Sequence, residues 1–232
     1  MDQEYDQYLR VEWELFARDA ERSQASLDAA GSPVAQVLDI GCGAGQEMLP
    51  FVKAGAWGVG TDIAPDVGAL GYELYSRAGL GKRVCFVRST AEHLPFASGR
   101  FAAVISRLAL PYTDNAQAIA EMARVMSPHG VLLLKIHHAG FYLNKAWYGI
   151  RSGKLLNTVH AARVLTSGVL YHLTGTQVRN RIVTNETFQT EWLLKRELAR
   201  HSLVIRRHMP DTNWMTPSYV IARSDAIPGG DY

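Results

Sequence analysis

The stretch that decides the predicted fold is Val37-Leu-Asp-Ile-Gly-Cys-Gly-Ala-Gly45. A largely apolar run from Gln36 to Ile40 leads into a turn with three glycines, and a helical segment follows from about Gly45 to Ala54. Such a run is typical of a parallel strand that is buried on both faces. Glycines directly after it allow the backbone to turn sharply and to approach a ligand closely. The stretch therefore predicts a strand, a ligand-binding turn and a helix in succession.

The succession of strand and helix repeats along the chain. Strands are predicted at 57–61, 83–88, 101–106, 130–137, 203–209 and 218–222, helices at 65–78, 115–126 and 186–201, and a turn at 128–130. This order predicts an α/β fold with a Rossmann-like, doubly wound sheet of seven parallel strands, covered by helices on both faces. We expect a single domain over 1–232, with an N-terminal helical lid at 1–31, formed by one helix from Glu4 to about Ala30, and an inserted helical cap at 139–184.

Composition narrows the class of protein. The chain has 232 residues, a formal net charge of +2 and two cysteines, Cys42 and Cys85, in segments predicted to be interior or to join a loop to a strand. Two cysteines form neither a disulfide framework nor a zinc pattern, and we expect no metal site. No apolar run approaches the roughly 20 residues of a membrane-spanning helix. We expect a cytoplasmic protein that binds no nucleic acid.

The residues around the glycine turn indicate which ligand it binds. A dinucleotide-binding turn would carry glycine at position 46, where this chain has Gln46. Asp39 precedes the turn, and a carboxylate there suits a cationic group better than a phosphate. Asp62 ends the next strand, where a carboxylate can accept both hydroxyls of a ribose. Together these residues favour a cationic nucleoside over a pyrophosphate.

Five segments, ordered and correctly spaced over residues 36–136, resemble the successive motifs of class I methyltransferases that use S-adenosylmethionine (SAM). They are closest to the subgroup that modifies small molecules. The segments are Val37-Leu-Asp-Ile-Gly-Cys-Gly-Ala-Gly45, Val59-Gly-Thr-Asp-Ile63, Ala91-Glu-His-Leu-Pro-Phe96, Phe101-Ala-Ala-Val-Ile-Ser106 and Met126-Ser-Pro-His-Gly-Val-Leu-Leu-Leu134.

The resemblance implies SAM as cofactor and assigns a role to each matching position. The methionine part of SAM would lie against Asp39 and the turn formed by Gly41, Cys42, Gly43 and Gly45. The nucleoside would contact Asp62 and Ile63 through its ribose and adenine face, and Ala91 and Glu92 at the adenine edge. Ser106 and Arg107 would flank the methionine part. Arg107 departs from the usual small or apolar residue and either pairs with a carboxylate of SAM or substrate or is a solvated surface arginine.

Catalytic candidates lie near the carboxyl ends of the strands, where doubly wound sheets place their ligands. Methyl transfer from a sulfonium needs a general base only if the acceptor must lose a proton. Tyr112, His137 and His138 are the candidates for this base, because a histidine there could deprotonate a hydroxyl near neutral pH. The alternative for the histidine pair is an ordinary hydrogen-bonded role at the surface.

The inserted cap carries a local positive charge. Between Phe141 and Ile182 the chain has no Asp or Glu and six basic residues, namely Lys145, Arg151, Lys154, Arg163, Arg179 and Arg181. Apolar residues recur there at helical spacing, at Leu155, Val159, Ala162, Leu165 and Val169. Three explanations stay open: a cap over an anionic or glycosylated substrate, a helix whose stripe packs on the domain or on a second subunit in a homodimer, and a membrane-surface helix that serves a lipid-linked acceptor.

These observations predict methyl transfer from SAM to a small-molecule acceptor. We expect the methylated atom to be an oxygen of a sugar, a glycolipid precursor or a natural-product scaffold. Two rival hypotheses stay open. One is an NAD-dependent Rossmann oxidoreductase, which Asp39, Gln46 and Glu92 disfavour. The other is a non-catalytic protein that binds SAM.

Overall fold

A computed structural model describes residues 3–31, 33–177 and 186–224. The seven strands are β1 (Gln36–Ile40), β2 (Trp57–Asp62), β3 (Val84–Arg88), β4 (Phe101–Arg107), β5 (Met126–Lys135), β6 (Leu203–His208) and β7 (Ser218–Arg223). They form one sheet in the order β3-β2-β1-β4-β5-β7-β6. The predicted Rossmann-like seven-stranded fold is confirmed, with one correction. β7 runs antiparallel to both of its neighbours, so the sheet is mixed rather than fully parallel.

Helices cover both faces of the sheet. The described residues include α1 (Gln3–Arg18), α2 (Ala20–Ala30), α3 (Leu49–Lys53), α4 (Ala69–Arg77), α5 (Asn115–Val125), α6 (Ala139–Arg151), α7 (Leu155–Thr174) and α8 (Glu191–Ala199). Successive strand residues point to opposite sides, and both sides are buried. Leu38 joins the core under α5 and α8, whereas Val37 joins the core under α1 to α4. Burial on both faces explains why the strands are apolar at consecutive positions.

The predicted N-terminal helix is in fact two helices. The chain breaks at Asp19, whose carboxylate accepts the Arg22 N–H at 2.9 Å and so caps α2. Aspartate is among the preferred residues at this position, because it satisfies a backbone N–H that lacks a partner within the helix. α2 then ends at Gly31, which has a φ of 76°. The break lets α1 turn across the carboxyl edge of the sheet.

Two further boundaries differ from the prediction because of local backbone chemistry. The region 128–130 is no turn: Met126 pairs with Phe101 and Val131 with Ala103, so these residues form an irregularity inside β5. α8 begins at Glu191 rather than at Glu186, because the Thr190 hydroxyl accepts the Leu193 N–H at 3.3 Å. The segment 186–190 has no regular secondary structure, and most of it is buried.

α6 and α7 form an antiparallel helical hairpin in the region predicted to be the cap; positions 178–184 of that region lie outside the described residues. The apolar stripe of α7 does not pack as a whole on this domain, which leaves its packing on a second subunit, a role as cap and a membrane surface as predictions. Leu155, Val159 and Val169 are half or more exposed. The buried face carries smaller residues, such as Ala161 and Gly168. A Cβ at Gly168 would lie 2.2 Å from Phe188, so the absence of a side chain there permits the close contact.

Candidate active site

A cleft of about 940 Å³ opens at the carboxyl ends of the central strands. β1 and β4 are neighbours there, and the strand order reverses between them, which is where doubly wound sheets bind ligands. Its volume is near the upper end of the range for ligand sites, roughly 300–1,000 Å³. α1 closes one side with Tyr5, Tyr8 and Leu9. The third aromatic residue of this helix, Trp13, instead packs against Tyr75 with a centroid separation of 4.9 Å.

The glycine turn forms the floor of the cleft. Gly41, Gly43 and Gly45 have φ angles of 72°, 53° and 79°, in the left-handed region that favours glycine. A Cβ at Gly41 would lie 2.5 Å from the Cβ of Ala109. Gly41, Cys42 and Gly43 line the cleft. Gly45 lies behind it, and its carbonyl accepts the Tyr75 hydroxyl at 2.8 Å, so its contribution is to the turn itself.

Asp39 is a buried carboxylate that a cationic ligand would stabilise. Its side chain is 2% exposed, and Oδ2 has no hydrogen-bond partner among the described residues. Burial, together with the nearby carboxylates of Glu47 and Asp62, raises the pKa of Asp39 well above its usual range, and Arg107 only partly offsets this. A buried carboxylate without a partner is costly. A cationic group bound in the cleft would lower that cost.

Asp62 is held by the backbone on the opposite wall. Its Oδ2 accepts the Gly43 N–H and its Oδ1 accepts the Ala64 N–H, both at 3.1 Å. Each oxygen keeps a further lone pair for a hydroxyl donor. Ile63 beside it is 68% exposed and lines the cleft, as an apolar surface for a flat ring would.

Ala91 and Glu92 lie on the same wall as Asp62 and line the cleft. Glu92 also has a structural contact, because its Oε1 accepts the Asp114 N–H at 2.7 Å. This hydrogen bond fixes the carboxylate across the loop that begins α5. The structure thus brings together the four residues assigned to the nucleoside, while their contact with SAM stays a prediction.

Arg107 is not a solvated surface residue. Its side chain is 6% exposed and forms an ion pair with Asp211 and another with Glu47, the latter with 3.0 Å between Nε and Oε1. Both carboxylates are buried or half-buried, which explains why the arginine faces inward. Burial alone would raise the pKa of Asp211, but Arg107 and Lys135 outweigh it and bring that pKa to about 2. Ser106 is fully buried and does not line the cleft, so its side chain cannot flank a ligand there.

The three catalytic candidates separate in the structure. His137 and Tyr112 line the cleft, whereas His138 is the N-cap of α6, where its Nδ1 accepts the Gly140 N–H at 3.5 Å. His137 is 6% exposed and stacks on Phe141 with 4.0 Å between ring centroids. Burial lowers the pKa of His137 to about 4. Burial also raises the pKa of Tyr112 to about 12, with a further contribution from Glu186.

Sequence reasoning missed the side chains behind His137. Its Nδ1 lies 3.1 Å from the Tyr142 hydroxyl, which donates to Glu186 Oε1 at 2.6 Å. Glu186 is 7% exposed, and its Oε2 lies 2.9 Å from His160 Nε2. Tyr142 and Glu186 are 44 residues apart in sequence. Only the position of Glu186 at the edge of an acid-free segment distinguishes it in the sequence.

Arg22, Glu47 and Asp211 were likewise not predicted. Arg22 lines the cleft from α2 and pairs with Glu47, which in turn contacts Arg107. Within this cluster, Arg107 is the cation whose charge acts on the buried Asp39. Among residues 3–31, 33–177 and 186–224 no three metal-ligand side chains cluster, and no helix has the length and apolar character to cross a membrane.

Residues 38–134 match the family model described as a methyltransferase domain. The demethylmenaquinone methyltransferase of Mycobacterium marinum is 35% identical over 103 residues, which are 44% of this chain and 41% of that protein. The magnesium protoporphyrin IX methyltransferase of Synechocystis PCC 6803, solved with bound S-adenosylhomocysteine, superposes with a TM-score of 0.55 at 18% identity, covering 94% of this chain and 83% of that one. An O-methyltransferase from neocarzinostatin biosynthesis superposes with a TM-score of 0.60 at 16% identity, covering 94% and 57%.

The fold is that of the solved methyltransferases, and the family match covers residues 38–134 of the chain. The solved structures confirm the fold, and the family match confirms the resemblance predicted from the motifs. Over these residues the chain is similar to methyltransferase domains. The curated relatives are longer proteins: the matched part covers from 29% to 47% of their length.

Proposed function

We propose that this chain transfers a methyl group from SAM to an oxygen of a small organic acceptor. The observation that carries the proposal is the buried Asp39 carboxylate, which has no partner at Oδ2 among the described residues and faces the glycine turn. A cationic amino group satisfies it, and a pyrophosphate would be repelled. This preference also favours SAM over NAD.

The surrounding residues fit the remaining parts of SAM. Asp62 offers carboxylate lone pairs to the ribose hydroxyls, and Ile63 offers an apolar face to the adenine. Arg22 is 29% exposed at the cleft and is the guanidinium best placed for the methionine carboxylate, because Arg107 already contacts two carboxylates. When bound, SAM supplies a methyl group that is activated by its attachment to a positively charged sulfur.

On the acceptor side, His137 is the proposed general base. Because Tyr142 donates its proton to Glu186, its oxygen can accept Nδ1–H from His137, which leaves Nε2 unprotonated. With a pKa of about 4 the imidazole is neutral at working pH. The hydroxyl proton of the acceptor moves to Nε2 while its oxygen forms the new bond to carbon and the bond from sulfur to carbon breaks. The products are a methyl ether and S-adenosylhomocysteine.

The same geometry explains how a weakly basic histidine can act. As Nε2 takes the proton, the imidazolium is stabilised through Tyr142 by the buried Glu186 carboxylate. The Phe141 ring holds the imidazole plane by stacking at 4.0 Å. Correct alignment of the acceptor oxygen supplies the rest of the rate enhancement. The acceptors to test first are sugar hydroxyls, glycolipid precursors and aromatic natural-product scaffolds.

Calorimetry tests the cofactor. We expect binding of SAM and S-adenosylhomocysteine and none of NAD. NAD binding without SAM binding would favour the oxidoreductase. SAM binding with no transfer of labelled methyl to any acceptor in a broad panel would favour a non-catalytic protein.

A matched pair of variants tests the base. His137→Gln should lower kcat by about 10²- to 10⁴-fold for a hydroxyl acceptor, the usual contribution of general base catalysis. It should leave the affinity for SAM unchanged. His129→Gln, on an exposed part of β5, is the control. Equal kcat values for the two variants would contradict the role of His137.

A further inference from the structure

The far end of the α6–α7 hairpin carries an unusual density of exposed apolar side chains. We call this end the hairpin tip and define it by the joint 152–154 and the adjoining turns of both helices. Trp147 is 60% exposed, Leu155 70% and Leu156 86%. Three more exposed apolar residues belong to the tip: Tyr148, Ile150 and Val159. Six exposed apolar side chains within two helical turns of the joint indicate a binding surface rather than scattered surface residues.

The packing of the hairpin keeps these side chains outside. The two helices cross closely at Gly149, where a Cβ would lie 2.4 Å from Thr158 Oγ1, and Thr158 donates to the Ala146 carbonyl at 3.3 Å. The inward side is already filled by a small core that includes Tyr142, Ala161, Val164 and Phe188. The exposed residues therefore cannot be buried by a rotation of either helix without breaking this core.

The positive charge of the hairpin favours an anionic partner. The sequence from 138 to 185 contains no Asp or Glu. Lys145, Arg151, Lys154 and Arg163 lie on the described part of the hairpin, and Lys154 Nζ is 5.7 Å from the centroid of the Tyr148 ring. Apolar and aromatic side chains flanked by the basic residues Arg151 and Lys154 match a bilayer surface with anionic headgroups, in which the rings and leucines enter the acyl boundary and the basic groups stay among the phosphates.

We propose that the hairpin tip docks this protein on the surface of an anionic membrane. The cleft lies at the other end of the same element, because Phe141 of α6 lines it. The ten residue steps from Phe141 to Arg151 span about 15 Å of helix, so a docked tip holds the cleft close to the headgroups. Docking thus gives the cleft access to an acceptor dissolved in the bilayer. This last step rests on the proposed methyl transfer, whereas docking itself does not.

Vesicle sedimentation of the full chain, without SAM or acceptor, tests the docking. We expect binding to vesicles of phosphatidylcholine with one quarter phosphatidylglycerol, weaker binding at high salt, and little binding to pure phosphatidylcholine. The double variant Leu155→Gln, Leu156→Gln should lower the partition coefficient by about tenfold or more for each leucine. Leu15→Gln, at a leucine of α1 that is 61% exposed, is the matched control and should bind as the wild type does.

A variant with altered charge separates the contribution of electrostatic attraction from that of apolar insertion. Arg151→Glu with Lys154→Glu should weaken binding to anionic vesicles and leave the weak binding to pure phosphatidylcholine unchanged. Unaltered melting temperatures and SAM affinities would show that the variants are folded. Absence of wild-type binding to anionic vesicles would overturn the proposal, as would equal losses for the Leu15 control and the double variant. A dimer that the double variant dissociates, together with no vesicle binding, would assign the tip to contact between copies. Because neither SAM nor acceptor is present, failure of methyl transfer would not affect this result.

Discussion

Replacement of Asp39 by asparagine should change stability and cofactor affinity in opposite directions. The substitution keeps the shape of the side chain and removes its charge. In the ligand-free protein this carboxylate is 2% exposed and has no partner at Oδ2 among the described residues. We therefore expect Asp39→Asn to stabilise the ligand-free protein and to weaken SAM binding.

The size of both effects follows from the surroundings of the carboxylate. A hydrogen bond to a charged group contributes about 1.5–3 kcal/mol, so the loss of the ammonium contact should weaken SAM binding by about 10- to 150-fold. Relief of an unsatisfied buried charge should stabilise the ligand-free protein by about 1 kcal/mol or more. For a chain of 232 residues this raises the melting temperature by about 2–4 °C per kcal/mol.

The effect on stability has a defined pH dependence. The pKa of Asp39 in the folded protein lies above the unfolded value of 3.8, so the folded state binds more protons between the two values. The wild type therefore loses stability as pH rises through this interval. The difference between Asp39→Asn and the wild type should accordingly be small in acid and largest above the folded pKa.

Scanning calorimetry of the ligand-free proteins across pH, with titration calorimetry of SAM, measures both quantities. Asp28→Asn removes the same charge from an exposed position on α2 and should shift stability by less than about 0.5 kcal/mol. The reasoning is refuted if Asp39→Asn melts like Asp28→Asn and binds SAM with wild-type affinity. A lower melting temperature with intact SAM binding would also refute it.

Three further predictions concern buried or strained residues. Because the pKa of His137 falls from 6.5 unfolded to about 4 folded, wild type should lose about 2–3 kcal/mol more stability than His137→Gln as pH falls across that interval. Arg107→Met leaves two carboxylates without their buried partner and should destabilise the protein by about 3–5 kcal/mol in urea unfolding. The exposed Arg77→Met should cost less than about 1 kcal/mol. Gly68→Ala, at a φ of 82° and with its Cβ 2.3 Å from an aromatic side chain, should destabilise more than Gly79→Ala, which has a φ of 73° and open space around it. The second variant measures backbone strain alone, about 1–2 kcal/mol.

Each of these has an outcome that would contradict it. Parallel pH profiles of wild type and His137→Gln would show that this histidine is not buried in its neutral form. Equal urea midpoints for Arg107→Met and Arg77→Met would mean that the buried ion pairs add nothing to stability. Equal losses for Gly68→Ala and Gly79→Ala would show that the aromatic ring moves aside.

Most of the strands could be predicted from the sequence, because the signals that mark a buried strand lie within the strand and at its two ends. β1 spans the predicted residues 36–40, and β4 extends the predicted strand by one residue. Buried apolar runs bounded by glycine or aspartate are sufficient for this. The direction of β7 could not be predicted, since it depends on pairing with β5 rather than on the composition of either strand. The face of α7 that packs on the domain could not be predicted, because the helix has apolar residues on both sides and its buried side includes small residues.

The site also has one part that local sequence could predict and another that depends on contacts between residues distant in sequence. The strand-end residues Asp39 and Asp62 could be predicted because their positions relative to the glycine turn are fixed within the motif. The charge partners of Arg107 could not, since Asp211 lies 104 residues away. The contact of Tyr142 with Glu186 likewise depends on how the hairpin packs over the sheet. Roles set by neighbours in space rather than in sequence therefore require the structure.

The two ends of the sheet show how this chain avoids aggregation. β3 and β6 are the edge strands, and each leaves backbone groups that could pair with another chain. β3 ends at the exposed Arg88 and follows the exposed Arg83, while Arg206 and Arg207 lie on β6. Because both edges are positive, the edge of one copy repels either edge of a second copy. The exposed thiol of Cys85 lies on β3, just after a loop joins this strand, which is one of its two predicted positions. Positive charge at both edges of the described sheet thus disfavours its pairing with the sheet of another copy.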